Sequence, residues 1–367
     1  MKEPRIIISG GGTGGHIFPA ISIANAIKEI HPDAQLLFVG AKGKMEMEKV
    51  PAAGFDIVGL PVAGFHRKLT AKNLMFPFKL MASLMKARGI IKKFKPQVAV
   101  GVGGYASGPV LRIASQSGIP CLLQEQNSYP GVTNRLLAQK SAKICVAYDK
   151  MERFFPEKKI LVTGNPVRND LLSDISKAEA AQFWGLDTAK KTILVIGGSL
   201  GARSVNQGIL AGLNELADDV QIIWQTGRFY FEEMKSKMPA TVADRVIVTD
   251  FISRMDMAFS MADIVVSRAG ASSISELAIL GKPTLFVPSP NVSEDHQTKN
   301  AMALVENDAA KLLKDADVAA IISTATWLLQ DENQLAGLSR NIRQFARPDA
   351  ARDIAQEVIK LIKESSK

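Results

Sequence analysis

The sequence is poor in cysteine, in aromatic residues and in long apolar runs. Cys121 and Cys145 are its only cysteines in 367 residues. They form no metal-like or redox-like pair, which excludes a disulfide scaffold and favours a reduced, cytosolic setting. Phe, Trp and Tyr amount to 6%, with no aromatic–basic stacking motif. A nucleic-acid partner is therefore not expected, although 45 Lys plus Arg outnumber 36 Asp plus Glu and leave a net charge of +9. The excess suggests an anionic partner of another kind: a nucleotide, a lipid headgroup or a phosphorylated substrate. No uncharged apolar stretch reaches the length of a membrane span. The apolar run Ile6-Ile7-Ile8 is too short for a secretion signal. A single Asp-x-Asp triplet occurs, Asp315-Ala316-Asp317. It lies among helix-like residues and reads as a cap for the next helix rather than a metal site.

What is present is a repeated α/β theme. Hydrophobic residues make up 47% and charged residues 22%, ordinary for a globular chain, and the length predicts two domains. Residues 5–9 read as a buried strand, followed by Gly10-Gly11-Gly12-Thr13-Gly14-Gly15-His16 and a helix from about Pro19 to Ile30. Residues 192–196 again read as a strand, followed by Gly197-Gly198-Ser199-Leu200-Gly201-Ala202 and a helix from about Ser204. Further strands are expected near 35–39, 55–60, 97–101, 119–123 and 143–146, then near 220–225, 245–249, 263–266 and 283–287. Continuous apolar strands separated by helices predict doubly wound parallel sheets covered on both faces. Gly164-Asn165-Pro166 marks the boundary, giving domains 1–165 and 166–347. The last helix, about 348–367, is expected to return to the first domain.

Gly10-x-Gly12-x-x-Gly15 matches the dinucleotide fingerprint. A NAD site also needs an acid at the end of the second strand, and Phe38-Val39-Gly40-Ala41-Lys42 has none, which argues against a dehydrogenase. A second glycine loop, Gly101 to Pro109, follows the strand at 97–101 and belongs at the same sheet edge. In the second half a helix is expected to start near Ser272. Its N–H groups suit a diphosphate, and Glu276, one turn on, suits the hydroxyls of a ribose. Ser273-x-x-Glu276 reads equally well as a capping box.

Together these residues resemble the MurG family of peptidoglycan N-acetylglucosaminyltransferases. The resemblance rests on six ordered motifs between residue 6 and about residue 301. These are Gly11-Gly12-Thr13-Gly14-Gly15-His16, Gly103-Gly104-Tyr105-x-Ser107-Gly108-Pro109, Glu125-Gln126-Asn127, Gly164-Asn165-Pro166-Val167-Arg168, Gly197-Gly198-Ser199-x-Gly201-Ala202 and Ser275-Glu276. It implies a GT-B fold, two Rossmann-like domains facing across a cleft. It also implies inverting transfer of N-acetylglucosamine from UDP-GlcNAc to the 4-hydroxyl of N-acetylmuramic acid in lipid I, the undecaprenyl-diphosphate-linked muramyl-pentapeptide. By the same resemblance Thr13, Gly14, Gly15, Asn127, Arg168 and Ser199 belong to the donor site. So do Ile252 through its backbone, Ala271, Ser272, Ser273, Ile274, Ser275 and Glu276, and Gln297 against the sugar. Gly103, Gly104, Tyr105 and Ser107 are assigned to the acceptor diphosphate. Two departures stand out: Leu200 replaces a Gln common among relatives, and Gln124 replaces a His. Association with cell-wall and division machinery is what the family suggests.

An inverting displacement needs a base for the acceptor hydroxyl and stabilisation of departing UDP. His16 is the first candidate base or acceptor ligand, against the reading of a helix-start His bonded to backbone. Glu125 is the second, against that of a structural partner at a strand end. The leaving group falls to the helix near Ser272 with Arg168 or Ser199, without an essential metal or other cofactor. Residues 72–94 carry Lys72, Lys79, Lys86 and Lys93 at sevenfold spacing. They also carry two apolar stripes: Leu80, Leu84, Ala87 and Ile91, and Leu74, Phe78, Met81 and Met85. One stripe must pack on the sheet; the other, with Lys79 and Lys86, suits an anionic membrane surface. That predicts a peripheral protein on the cytoplasmic face of the inner membrane. The plain alternative is a helix wedged between two elements. Phe65-His66-Arg67-Lys68 could meet the acceptor diphosphate or lipid headgroups. Rival functions are a GT-B enzyme with another lipid acceptor and a UDP-GlcNAc 2-epimerase.

Overall fold

The computed structural model describes residues 3–62, 76–167, 171, 175–198, 200–292 and 295–365. The chain divides into one unit of Met1–Arg168 with Arg347–Lys367 and another of Asn169–Ala346.

The first unit holds seven parallel strands: β1 (Arg5–Ser9), β2 (Gln35–Ala41), β3 (Ile57–Leu60), β4 (Val98–Gly101), β5 (Cys121–Glu125), β6 (Lys143–Val146) and β7 (Ile160–Val162). Their order is β3-β2-β1-β4-β5-β6-β7. The apolar runs are explained by two-sided burial. Ile6 and Ile8 face one core with Ile23, Ile27 and Val100, while Ile7 faces the other with Val39, Ala99 and Leu111. The helix Ala350–Ser365 closes the first of these cores with Ile354, Ala355 and Val358. Cys121 and Cys145 lie in different cores. Burial pushes each thiol up to about 12, which keeps them neutral and inert.

The second unit holds β8 (Lys191–Ile196), β9 (Val220–Gln225), β10 (Val246–Thr249), β11 (Ile264–Ser267), β12 (Thr284–Phe286) and β13 (Lys311–Leu312). These are again parallel, in the order β10-β9-β8-β11-β12-β13. Ile193 and Val195 point to one core, Leu194 and Ile196 to the other. The short edge strands β7 and β13 were not among the expected strands.

This strand order places the topological switch between β1 and β4 in one unit and between β8 and β11 in the other. Chains leaving neighbouring strands in opposite directions open a crevice at their carboxyl ends, where ligands bind in open α/β sheets. The glycine loops Gly10–Gly15 and Gly103–Gly104 leave β1 and β4. The loop 197–202 and the segment 268–271 leave β8 and β11. The first helix starts at Gly14 rather than near Pro19, so Pro19 lies inside it. Lacking an N–H, Pro19 cannot pair the carbonyl of Gly15. The glycine run itself supplies the first turn.

Candidate active site

In the first unit the two glycine loops touch through their backbones. Gly11 and Gly12 have φ of 142° and 89°, Gly103 and Gly104 of 95° and 83°. A Cβ on Gly104 would lie 2.3 Å from the carbonyl oxygen of Gly11, so no side chain fits there. His16 sits in the first turn of the helix Gly14–Ile30. Its N–H donates to the Thr13 carbonyl at 3.1 Å, and its Nδ1 is 3.3 Å from Thr13 Oγ1. The ring stands against the second loop: a Cβ on Gly103 would lie 2.9 Å from His16 Nε2. Tyr105 is exposed, whereas Ser107 is fully buried and its Oγ donates to the Gly104 carbonyl at 2.9 Å. Ser107 thus stands behind the loop it was expected to line.

Beneath the loops lies a buried polar layer. Both Glu125 oxygens are occupied: Oε1 accepts from Asn127 N at 3.0 Å and Asn127 Nδ2 at 3.2 Å, Oε2 from Gly131 N at 3.1 Å and Asn134 Nδ2 at 2.9 Å. Burial pushes its carboxyl up, and these donors pull it back. Gln124, at the position of the missing His, donates to Asn165 Oδ1 at 3.0 Å and accepts from Gln126 Nε2. Asn165 Nδ2 donates to the Gln126 carbonyl at 3.0 Å, and Gln126 Nε2 to the Val102 carbonyl at 2.8 Å. The Gly-Asn-Pro and Glu-Gln-Asn motifs are therefore joined by one amide network.

In the second unit the helix Ala271–Leu280 has Gly270 at its N-cap, no side-chain cap and no acid in its first turn. This displaces the capping-box reading. Ser273 is the third helical residue, and Ser275 Oγ is turned back onto the Ala271 carbonyl at 3.1 Å. A helix cannot pair the N–H groups of its first turn internally. Ser272 Oγ is buried with no hydrogen-bond partner, a costly arrangement unless a ligand completes it. Ile252 is buried in the core, and its neighbour Phe251 is exposed. Gln297 Oε1 accepts from Ser289 N at 2.9 Å. Leu200, the second departure, is exposed. Arg168, Ser199, Leu74 and the segment Phe65-His66-Arg67-Lys68 lie outside the described residues.

The Asp-x-Asp triplet has another role than the expected cap. Asp315 Oδ1 accepts from Arg268 Nη1 at 2.6 Å and from Ser204 Oγ at 2.7 Å. Arg268 also reaches the carbonyls of Val287 and Pro288. One ion pair thereby joins the ends of β11 and β12 to the helix Arg203–Gly212.

On the helix Phe76–Phe94, Ala87 and Ile91 are buried, while Phe78, Met81 and Met85 are 71%, 59% and 70% exposed. Lys79 is exposed, but Lys86 Nζ donates to the Gly59 carbonyl at 2.8 Å. Among the described residues no helix is long and apolar enough to cross a membrane.

Family models for the glycosyltransferase family 28 N-terminal and C-terminal domains match residues 6–146 and 192–357. A Parabacteroides distasonis protein is 57% identical over 99% of both chains, and one from Flavobacterium psychrophilum 54% identical over 99% of both. Each is named UDP-N-acetylglucosamine--N-acetylmuramyl-(pentapeptide) pyrophosphoryl-undecaprenol N-acetylglucosamine transferase. The crystal structure of Acinetobacter baumannii MurG superposes with a TM-score of 0.78 at 28% identity, covering 97% of this chain and 99% of that one. The chain belongs to the MurG family of glycosyltransferase family 28. Its two parallel-sheet domains are those of the GT-B fold. A UDP-N-acetylglucosamine 2-epimerase shares the fold, with a TM-score of 0.69 at 16% identity.

Within this MurG-family frame, reading the sequence missed the residues that hold the loops: Glu46, Gln126, Asn134, Asn206 and Arg268. Asn206 Nδ2 donates to the Thr226 carbonyl at 2.9 Å, and its Oδ1 accepts from Trp224 Nε1 at 3.0 Å. Glu46 and Asn206 lie on helices, where a polar residue usually reads as part of a solvated face. Glu125→Gln turns an NH2 toward backbone and Asn134 donors. Chemical denaturation should show a loss of about 1–3 kcal/mol, and an unchanged midpoint would contradict a stabilising role for the buried Glu125 hydrogen bonds.

Proposed function

We propose that this chain transfers N-acetylglucosamine from UDP-GlcNAc to the 4-hydroxyl of the N-acetylmuramyl group of lipid I, giving lipid II. The observation that carries the reading is the start of the helix Ala271–Leu280. Its N-cap residue Gly270 supplies no side-chain cap, its first turn has no acid, and it holds the orphaned Ser272 hydroxyl. An anion is the ligand that satisfies such a site, because the N–H groups and the helix dipole both favour negative charge. We place the UDP diphosphate there, with Ser273, Ile274 and Ser275 around it and Glu276 on the ribose. The Ile252 backbone takes the uracil and Gln297 the sugar. Arg168, Ser199 and Asn127 keep their assignment to the donor on the family resemblance, as do Thr13, Gly14 and Gly15.

The chemistry is one displacement. The acceptor O4 bonds to the anomeric carbon from the face opposite the diphosphate, and the C1–O bond to UDP breaks with its electron pair. The O4 proton passes to His16, whose imidazole Thr13 and Gly103 hold in place. The charge developing on UDP is stabilised by the helix start at Ala271. Glu125 is assigned to holding the 125–131 turn, since its oxygens are already engaged. Gly103, Gly104 and Tyr105 are assigned to the acceptor diphosphate, and Ser107 to the support of their loop.

The lipid acceptor calls for work at a membrane. Phe78, Met81 and Met85 with Lys79 offer an apolar and basic face for peripheral docking on the cytoplasmic side of the inner membrane. Lys86 is committed to the Gly59 carbonyl. Ties to cell-wall and division machinery follow from the family resemblance alone.

Incubation with labelled UDP-GlcNAc and a short-chain lipid I analogue in excess EDTA should yield a β-1,4 disaccharide lipid. Release of N-acetylmannosamine instead would favour the epimerase, and no transfer with or without magnesium would remove the proposal. Replacing Phe78, Met81 and Met85 together by Ser should weaken binding to phosphatidylglycerol-containing vesicles about tenfold or more, measured by co-sedimentation. Unchanged binding would leave that stripe without a membrane role.

A further inference from the structure

The acid that the dinucleotide fingerprint lacks at the end of its second strand is present, but it points elsewhere. Glu46 opens the helix Glu46–Ala52 just after β2, and it is 1% exposed. Its Oε1 accepts from Ala41 N at 2.8 Å, and its Oε2 accepts from Gly12 N at 2.9 Å. One buried carboxylate therefore ties the end of β2 to the first glycine loop. The neighbouring glycines make room for it. A Cβ on Gly11 would lie 2.3 Å from Glu46 Oε1, and a Cβ on Gly40 would lie 2.5 Å from Glu46 Cγ. Gly11, in a loop that reads as room for a phosphate, is thus room for an acid, as is Gly40 on β2.

We infer that Glu46 is the positioning residue of the first glycine loop, acting on the reaction through His16. Gly12 is followed by Thr13, whose carbonyl and hydroxyl hold the backbone and Nδ1 of His16. Gly11, on the other side of the anchor, sets the backbone against which Gly104 rests. The Glu46 carboxylate is buried and engaged by backbone donors. It fixes where the imidazole stands, and misplacing a catalytic group by about 1 Å can cost on the order of 100-fold in rate. The inference rests on the reading of His16 as the base.

A double-mutant cycle on the full-length chain, assayed with UDP-GlcNAc and the lipid I analogue, tests it. Glu46→Gln keeps the shape but turns an NH2 group toward a backbone donor. It should lower kcat/KM by about 10- to 100-fold in the wild-type background. In a His16→Ala background it should lower it by less than about threefold, because residues acting through one another are non-additive. An equal loss in both backgrounds is what a merely structural acid would give and would overturn the inference, as would no loss in either. Full activity in His16→Ala alone would remove the reading of the base instead. If Glu46→Gln does not fold, Glu46→Asp, too short to reach both donors, takes its place in the cycle. Amide hydrogen exchange of the wild-type protein adds a readout that needs no variant. The Gly12 N–H should exchange more slowly than that of Gly15 in the first turn of the following helix, and equal rates would refute the anchor.

Discussion

Buried side-chain acceptors hold the loops of this protein in place, and its other functional features depend on them. A glycine loop at the end of a parallel strand leaves backbone N–H groups that no neighbouring strand can pair, and burial without a partner is costly. Glu46 answers for Gly12 and Ala41, and Glu125 for Asn127 and Gly131. Loop carbonyls are met in the same way, Val102 by Gln126 and Thr226 by Asn206. Each acceptor or donor is itself deep in the fold, so the loops are as well positioned as the sheets beneath them.

Both units bring strand-end loops together backbone to backbone, the first at its switch point and the second beside it. In the first, the loops after β1 and β4 meet backbone to backbone at Gly11 and Gly104. In the second, a Cβ on Gly201 would lie 2.0 Å from the Thr226 carbonyl, so the loops after β8 and β9 meet in the same manner. The two units differ in what the loops leave over. The first unit spends the Gly12 N–H on an internal acid and presents an imidazole. The second has a helix start with no side-chain cap from Gly270, and the buried Ser272 hydroxyl there lacks a partner. That difference separates proton transfer from anion binding in the proposed reaction.

Much of the fold was legible because two-sided burial writes continuous apolar strands, as in Ile6-Ile7-Ile8 and Thr192-Ile193-Leu194-Val195-Ile196. The edge strands β7 and β13 were missed because one runs into Thr163-Gly164-Asn165, which reads as a break, and the other is only Lys311–Leu312. Pro19 misled the placement of the first helix start, since proline is favoured in a first turn but is also tolerated where a loop has already begun the helix. The loop motifs were legible as strand-end loops. Their supports did not show, because Glu46 and Asn206 lie on helices where a polar residue usually marks a solvated face. Only the three-dimensional fold reveals that these two point inward. Ser107 shows the converse: a motif residue that supports its loop from behind.

The central claim is that the helix start at Ala271 receives the UDP diphosphate. The direct measurement is backbone amide NMR of the full chain titrated with UDP and, separately, with uridine. The account predicts large shifts at Ser272 and Ser273 with UDP that are absent with uridine. Shifts centred on Gly12 to Gly15, with Ser272 and Ser273 unmoved, would contradict it.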